Sequence, residues 1–179
     1  MNIKCILLGD CKTGKSHFIN YFRKNGKNPY QYIPTICIDF FVYKTMHIWD
    51  SSGCDRFKTI LRPFIQTSNL CIICYNDEKS FQSVKKYYEE IMLYGGRQVE
   101  SICLISFTKD IELEVEGLVF ANMRGCDFFT CNLDEKDSCY TMMNTLMEKY
   151  KRDVLKEKKI PSIKKLKPIE NRSCWWNLW

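Results

Sequence analysis

The sequence predicts an α/β domain: a mainly parallel, six-stranded sheet with helices on both faces. Three observations carry that prediction. Short apolar runs of strand length alternate with segments whose apolar residues recur at helical spacing. A glycine-bearing turn, Gly9 to Ser16, joins the first run to the first helical segment. A single hairpin, over Ile36 to Asp50, interrupts the alternation of strand and helix.

The elements follow in order. The first strand is Ile3 to Leu8, and a helix runs from Lys15 to about Lys24. A hairpin covers Ile36 to Asp50, turning at Lys44 and Thr45 without an Asn-Gly signal. A helical segment at Phe57–Thr67 and a strand at Leu70–Tyr75 come next. A helix at Ser80–Leu93 places Phe81, Val84, Tyr88 and Ile91 at helical spacing. A strand at Ser101–Phe107, a helix at Leu113–Met123, a strand at Asp127–Cys131 and a helix from Asp134 to Leu155 complete the pattern. Lys156–Arg172 is Lys-rich and broken by Pro161 and Pro168. The division is therefore one domain at 1–155 and a flexible, basic, Trp-rich tail at 156–179.

Composition narrows the classes. A chain of 179 residues, 45% hydrophobic, suits one domain with one sizeable core. The N-terminus does not read as a secretory signal, and no run approaches the ~18 apolar residues of a membrane helix, so a cytoplasmic protein is expected. Eleven cysteines are scattered through apolar runs. Cys71 and Cys74 have CxxC spacing but sit within a strand, and a zinc site would want a second pair, so core packing is the preferred reading. The net charge of +6 lies entirely in residues 148–172, which hold ten basic and four acidic residues. The neutral remainder argues against general nucleic-acid binding, and a monomer is expected.

The turn carries the chemistry. Gly9-Asp10-Cys11-Lys12-Thr13-Gly14-Lys15-Ser16 matches GxxxxGK[ST] in the strand–loop–helix setting that the motif requires. Such a loop wraps backbone N–H groups around phosphate oxygens, glycine permitting the close approach and the helix N-terminus adding positive potential. Gly9, Cys11, Lys12, Thr13, Gly14, Lys15 and Ser16 are thus expected to hold a nucleotide. Lys15 is expected on the β- and γ-phosphates and Ser16 on Mg²⁺.

Downstream motifs decide the class. Tyr32-Ile33-Pro34-Thr35-Ile36-Cys37-Ile38-Asp39-Phe40 resembles the first switch of Rab GTPases, usually YxxTIGxDF. His47-Ile48-Trp49-Asp50-Ser51-Ser52-Gly53-Cys54-Asp55-Arg56-Phe57 resembles the second, usually QIWDTAGQERF, and Phe81-Gln82-Ser83-Val84 resembles the SFxxV before the third Rab helix. The chain is thereby identified as a divergent, Rab-like member of the Ras superfamily with the P-loop small GTPase fold, over about residues 3–150. The resemblance implies GTP/GDP and Mg²⁺ as ligands. It places Thr35 on Mg²⁺ and the γ-phosphate, Asp50 on Mg²⁺ through water, and the Gly53 N–H on the γ-phosphate. Loss of that phosphate releases both switches in this family. Lys15, Thr35 and the residue after Gly53 take the catalytic positions. Phe40, Trp49 and Phe64 match the apolar triad that Rabs offer to effectors, against ordinary core as the plainer reading.

The departures are as informative. Cys54 occupies the place of the Gln that orients the attacking water, and a thiol is a poor substitute, so hydrolysis is expected to be slow. In the base-binding NKxD, alignment on Thr108-Lys109 leaves Ile111 at the Asp position; the preferred alignment, on Asp110, keeps Asp110-Ile111-Glu112 on the family's D-L-E and puts Phe107 and Thr108 in place of Asn and Lys. Asp110 alone is left to accept from guanine. Cys131-Asn132-Leu133 replaces Ser-Ala-Lys, leaving a backbone contact at Asn132. Cys11 and Lys12 add bulk where an arginine finger would enter, and the inter-switch hairpin is shorter than in typical Rabs. The tail holds no cysteine at a CaaX position. Its lysines and its Trp175, Trp176 and Trp179 suit either an anionic membrane, palmitoyl-assisted through Cys174 or lipid-free, or a partner or a fold-back onto the core. The leading function is a GTP-binding switch in vesicle or membrane traffic. The alternatives are a pseudo-GTPase interaction module and a nucleotide binder of relaxed base specificity.

Overall fold

A computed structural model describes residues 2–23 and 34–159, with side chains up to 155. The strands form one sheet in the order β2-β3-β1-β4-β5-β6, largely buried at its centre and partly exposed at the β2 edge. The strands are β1 Ile3–Leu8, β2 Ile38–Tyr43, β3 Met46–Ser51, β4 Leu70–Tyr75, β5 Ser101–Ser106 and β6 Asp127–Thr130. Only the β2–β3 pair is antiparallel, with a turn at Lys44 and Thr45. Lys44 takes φ +52 there, which replaces the missing Asn-Gly chemistry at some cost in strain. The predicted six-stranded, mainly parallel sheet is thus present.

The helices are α1 Lys15–Asn20, α2 Lys58–Thr67, α3 Glu78–Gln82, α4 Val84–Tyr94, α5 Ile111–Arg124 and α6 Lys136–Lys159. A 3-10 turn at Asp55–Phe57 leads into α2. The core divides by sheet face. On one face Phe18 of α1 and Cys139, Met143 and Leu146 of α6 pack on Cys5, Leu7 and Ile72. On the other, Leu61 and Ile65 of α2, Val84, Tyr87 and Ile91 of α4, and Ala121 of α5 pack on Ile6, Leu8 and Ile73. Cys71 and Cys74, three apart in β4, fall in opposite clusters, as core packing requires. Burial lifts both thiols to about 12, so neither is a thiolate at neutral pH.

Several element boundaries differ from expectation. The helix predicted at 80–93 begins at Glu78 and is interrupted at Ser83. Its start is a capping box in which Asp77 accepts from the Ser80 N–H while the Ser80 hydroxyl accepts from the Asp77 N–H. Its buried positions are Ser80, Val84, Tyr87 and Ile91, whereas Phe81 and Tyr88 are only partly covered. α5 starts two residues before Leu113 because Asp110 caps it. α6 continues past Leu155 to Lys159. Residues 24–33, with Tyr32 and Ile33, and 160–179, with Cys174 and the three tail tryptophans, lie outside the described residues. Among the described residues, no helix is long and apolar enough to cross a membrane.

Candidate functional site

The site lies at the carboxyl ends of the parallel strands, where open α/β sheets bind ligands. β1 delivers Gly9 and the loop through Ser16. Its parallel pairing with β3, Leu7 opposite Asp50, sets the end of β3 level with that loop. Two glycines are required by contact. A Cβ on Gly9, which has φ +142, would meet the Cys74 carbonyl oxygen at 2.3 Å. One on Gly14, with φ +97, would meet Leu133 Cδ1 at 2.4 Å. Gly14 then caps α1, whose first residue is Lys15.

Lys15 is buried and folds back over the loop. Its Nζ donates to the carbonyl oxygens of Gly9 and Asp10, each at 2.7 Å, and to Thr13 Oγ1 at 3.2 Å. Burial lowers its pKa, which Asp50 and Asp10 oppose. The ammonium is held against the loop, so its position does not depend on a mobile stem.

Three predicted metal-binding residues converge. Ser16 Oγ and Thr35 Oγ1 share a hydrogen bond at 2.7 Å, and Thr35 Oγ1 lies 3.5 Å from Asp50 Oδ2. Asp50 is buried, and its Oδ1 has no hydrogen-bond partner among the described residues. Burial holds its carboxyl above the usual range, assisted by Asp39. The Ser16 hydrogen bond and the charges of Lys15 and Arg23 pull the other way. An orphaned carboxylate oxygen beside two hydroxyls is a hard-oxygen set that fits Mg²⁺, which takes few protein ligands and completes its shell with water and phosphate. A cation there would also reverse the electrostatics that now disfavour ionised Asp50.

Gly53 closes the other side. A Cβ on it would lie 2.2 Å from both Asp10 C and Cys11 N, so the two backbones touch. Just beyond, Cys54 Sγ sits 3.1 Å from Cys11 Sγ. The segment before β2 is tied in as well, since the Ser52 N–H donates to the Cys37 carbonyl at 2.8 Å. Cys37 takes φ +63 at the place of the family's glycine, and Lys12 takes φ +67.

The base side is arranged differently from the nucleotide motif. Phe107 is buried against Phe18, ring centroids 5.7 Å apart, and belongs to the core. Asp110 spends Oδ1 on capping α5, accepting from the Glu112 N–H at 2.9 Å and the Leu113 N–H at 3.4 Å. The Asn132 N–H donates to Ser138 Oγ at 3.1 Å, and its side chain bonds Glu135 Oε1 and the Asp134 N–H. Leu133 packs on Gly14. The structure therefore gathers the predicted phosphate and metal residues around one loop, while the predicted base residues Asp110 and Asn132 are partly committed to local hydrogen bonds.

Sequence reasoning missed the outer bracing of the loop. The Tyr87 hydroxyl donates to Asp10 Oδ1 at 3.0 Å, and Asn76 Nδ2 donates to the Lys12 carbonyl at 3.2 Å. Tyr87 was readable as a second aromatic on the helix bearing Val84 and Ile91; Asn76 carried no signal. Phe40, Trp49 and Phe64 do meet, with centroids 4.5 Å and 5.0 Å apart, and Phe40 remains 45% exposed.

The sequence model of the Ras family matches residues 4–152. The chain belongs to the Ras family. Within it the chain is a divergent, Rab-like member. It is 30% identical over 128 residues to the Ras-related protein Rab-7a of Dictyostelium discoideum, covering 65% of this chain and 63% of that one. It is 31% identical over 121 residues to human Ras-related protein Rab-9A, covering 62% and 60%. With the Ypt/Rab-type GTPase avaA of Emericella nidulans the identity is 28% over 137 residues, covering 70% and 66%. The match thus spans less than two thirds of these Rab relatives' own length. In this Ras-family chain, Cys11 of the loop and Cys54 of the segment after β3 meet at the rim of the site.

Proposed function

We propose that this chain is a guanine-nucleotide switch that binds GTP and GDP with Mg²⁺ and hydrolyses GTP slowly. The convergence of Ser16, Thr35 and the orphaned Asp50 carboxylate beside Lys15 carries this reading. Backbone N–H groups from Cys11 to Ser16 cradle the phosphates, and Lys15 neutralises the charge that gathers on the transferred phosphoryl group. Ser16 and Thr35, with Asp50 through water, would hold Mg²⁺, which would supply further charge neutralisation. Gly53 offers its N–H to the terminal phosphate, and Thr35 closes from the opposite side. Cys54 cannot position a water as an amide does, and its thiol is already directed at Cys11. Asp110 offers Oδ2 to the base. Phe40, Trp49 and Phe64 offer an aromatic surface to an effector. By likeness to Rab proteins the switch acts in membrane traffic, with the basic tail assigned to an anionic membrane or a partner. A truncation at Ile160 that still floats with anionic vesicles would remove the membrane from that assignment.

The rival reading is a pseudo-GTPase that presents the Rab surface without cycling. It is favoured by one observation, the commitment of the Asn132 N–H and Asp110 Oδ1 to local caps. Fluorescent nucleotide binding with Mg²⁺, competed by GTP, GDP and ATP, separates the two. Tight guanine-selective binding supports the switch. Equal competition by ATP supports relaxed base choice, and no binding leaves the interaction module.

A further inference from the structure

At the rim of the nucleotide site, one pair of reactive side chains stands out. Cys11 and Cys54 lie 43 positions apart in sequence, yet their sulfurs are 3.1 Å apart. Cys11 is exposed and Cys54 partly exposed, so a small oxidant can reach both. Closing to the ~2.05 Å of a disulfide needs movement on the order of 1 Å. The chains need not approach further, because the Gly53 backbone already touches the Asp10–Cys11 peptide. The cysteines elsewhere are less suited. Cys5, Cys71, Cys74 and Cys103 are buried, with thiol pKa values pushed up by desolvation. Cys131 and Cys139, 3.7 Å apart, are also buried.

We propose that Cys11 and Cys54 form a reversible disulfide that clamps the phosphate loop to the segment after β3. The reaction with a peroxide balances. Cys54 as thiolate attacks one peroxide oxygen, the O–O bond breaks, and the departing hydroxide takes up a proton, leaving a sulfenic acid. Cys11 sulfur then attacks Cys54 sulfur, the S–O bond breaks, and hydroxide leaves with the Cys11 proton as water. Two thiols lose two electrons and two protons; the peroxide becomes two waters, or one water and one alcohol. Cys54 is the fitter nucleophile of the two. A hydrogen bond from Cys11, then one from Ser52, and the nearby Arg56 charge hold its thiol below the ordinary range, whereas burial raises Cys11. A dithiol reductant reverses the bond.

The disulfide makes this an oxidant-sensitive site on the rim of the phosphate pocket. It prevents the two walls, Cys11 and the segment carrying Gly53, from parting. Nucleotide therefore enters and leaves more slowly in the oxidised protein. That last effect rests on the switch reading above; formation of the bond does not.

The test uses the full chain treated with stoichiometric hydrogen peroxide, alkylated, digested and mapped by mass spectrometry. A Cys11–Cys54 linked peptide, reversed by dithiothreitol, lost in Cys11→Ser and in Cys54→Ser and kept in Cys126→Ser, is the expected result. Alkylation of both thiols after oxidation, over-oxidation of either without linkage, or linkage only between molecules would overturn it. Oxidation should also raise amide-exchange protection across 52–58 and slow release of fluorescent GDP by about tenfold or more. Unchanged protection in linked protein would overturn the clamp. A reduced protein that binds no nucleotide would sink the switch reading, while peptide mapping and amide exchange would still decide the clamp.

Discussion

The buried hydroxyl of Tyr87, on α4, donates to Asp10 Oδ1 in the phosphate loop at 3.0 Å. This bond joins the loop to a helix of the hydrophobic core across 77 positions of sequence. A neutral donor to a charged acceptor contributes about 1.5–3 kcal/mol. Tyr87→Phe is expected to lower stability by about that much in urea denaturation. It should also weaken nucleotide affinity, because the loop loses its outer brace. Unchanged denaturation would show that solvent replaces the bond at no cost.

Asp50 gives a pH-dependent prediction. Its carboxyl is raised by burial, so in nucleotide-free protein its ionisation opposes folding. The penalty is absent below the unfolded pKa, begins as pH rises through it, and is complete above the raised folded value. Asp50→Asn should therefore stabilise the nucleotide-free protein at pH 7, and much less near pH 3.5. The same variant should lose Mg²⁺-dependent nucleotide binding. Denaturation at the two pH values, with binding at pH 7, checks both halves.

Cys54→Gln restores the amide that family members place there. Single-turnover GTP hydrolysis should rise by about 10²-fold, the scale of one positioned hydrogen-bonding group. A rate equal to that of the unaltered chain would mean that Cys54 is not the limiting departure.

Restoring the base motif with Phe107→Asn and Thr108→Lys should raise preference for GTP over ATP by about tenfold or more. Since Phe107 packs on Phe18, the exchange should also cost about 3 kcal/mol of stability. Competition binding and denaturation should therefore move in opposite senses.

Gly117 sits inside α5, where Ala would ordinarily gain about 1 kcal/mol of helix propensity. Its added Cβ, however, would lie 2.0 Å from the Tyr75 hydroxyl, which donates to the Leu113 carbonyl. Overpacking of that kind costs about 1–3 kcal/mol. Gly117→Ala is expected to lower the thermal midpoint, and a rise would show that Tyr75 moves aside freely.

Much of this architecture could be read from the sequence, and the reasons are local. β4 is a continuous apolar run and β1 is one interrupted only by Lys4, and both were placed to the residue. The loop from Gly9 to Ser16 was legible because its chemistry is contiguous. Thr35 and Asp50 were legible only through the resemblance of their flanking segments. Asp110 was read as a base contact, and its capping of α5 was missed, although an Asp before a helical pattern is a start signal. The contacts of Cys11 with Cys54 and of Tyr87 with Asp10 were out of reach. Each depends on how the sheet stacks segments distant in sequence, which residue types alone do not encode.

The hydrogen bond from the Ser52 N–H to the Cys37 carbonyl has a kinetic consequence. Ser52 is buried, so withdrawal of residue 37 would strand an amide without solvent, a loss of about 1–3 kcal/mol. Opening of the stretch before β2 and of the stretch after β3 is then a concerted event rather than two independent ones. Relaxation measurements on probes in either stretch should report a common rate, and the protein should spend little time half open.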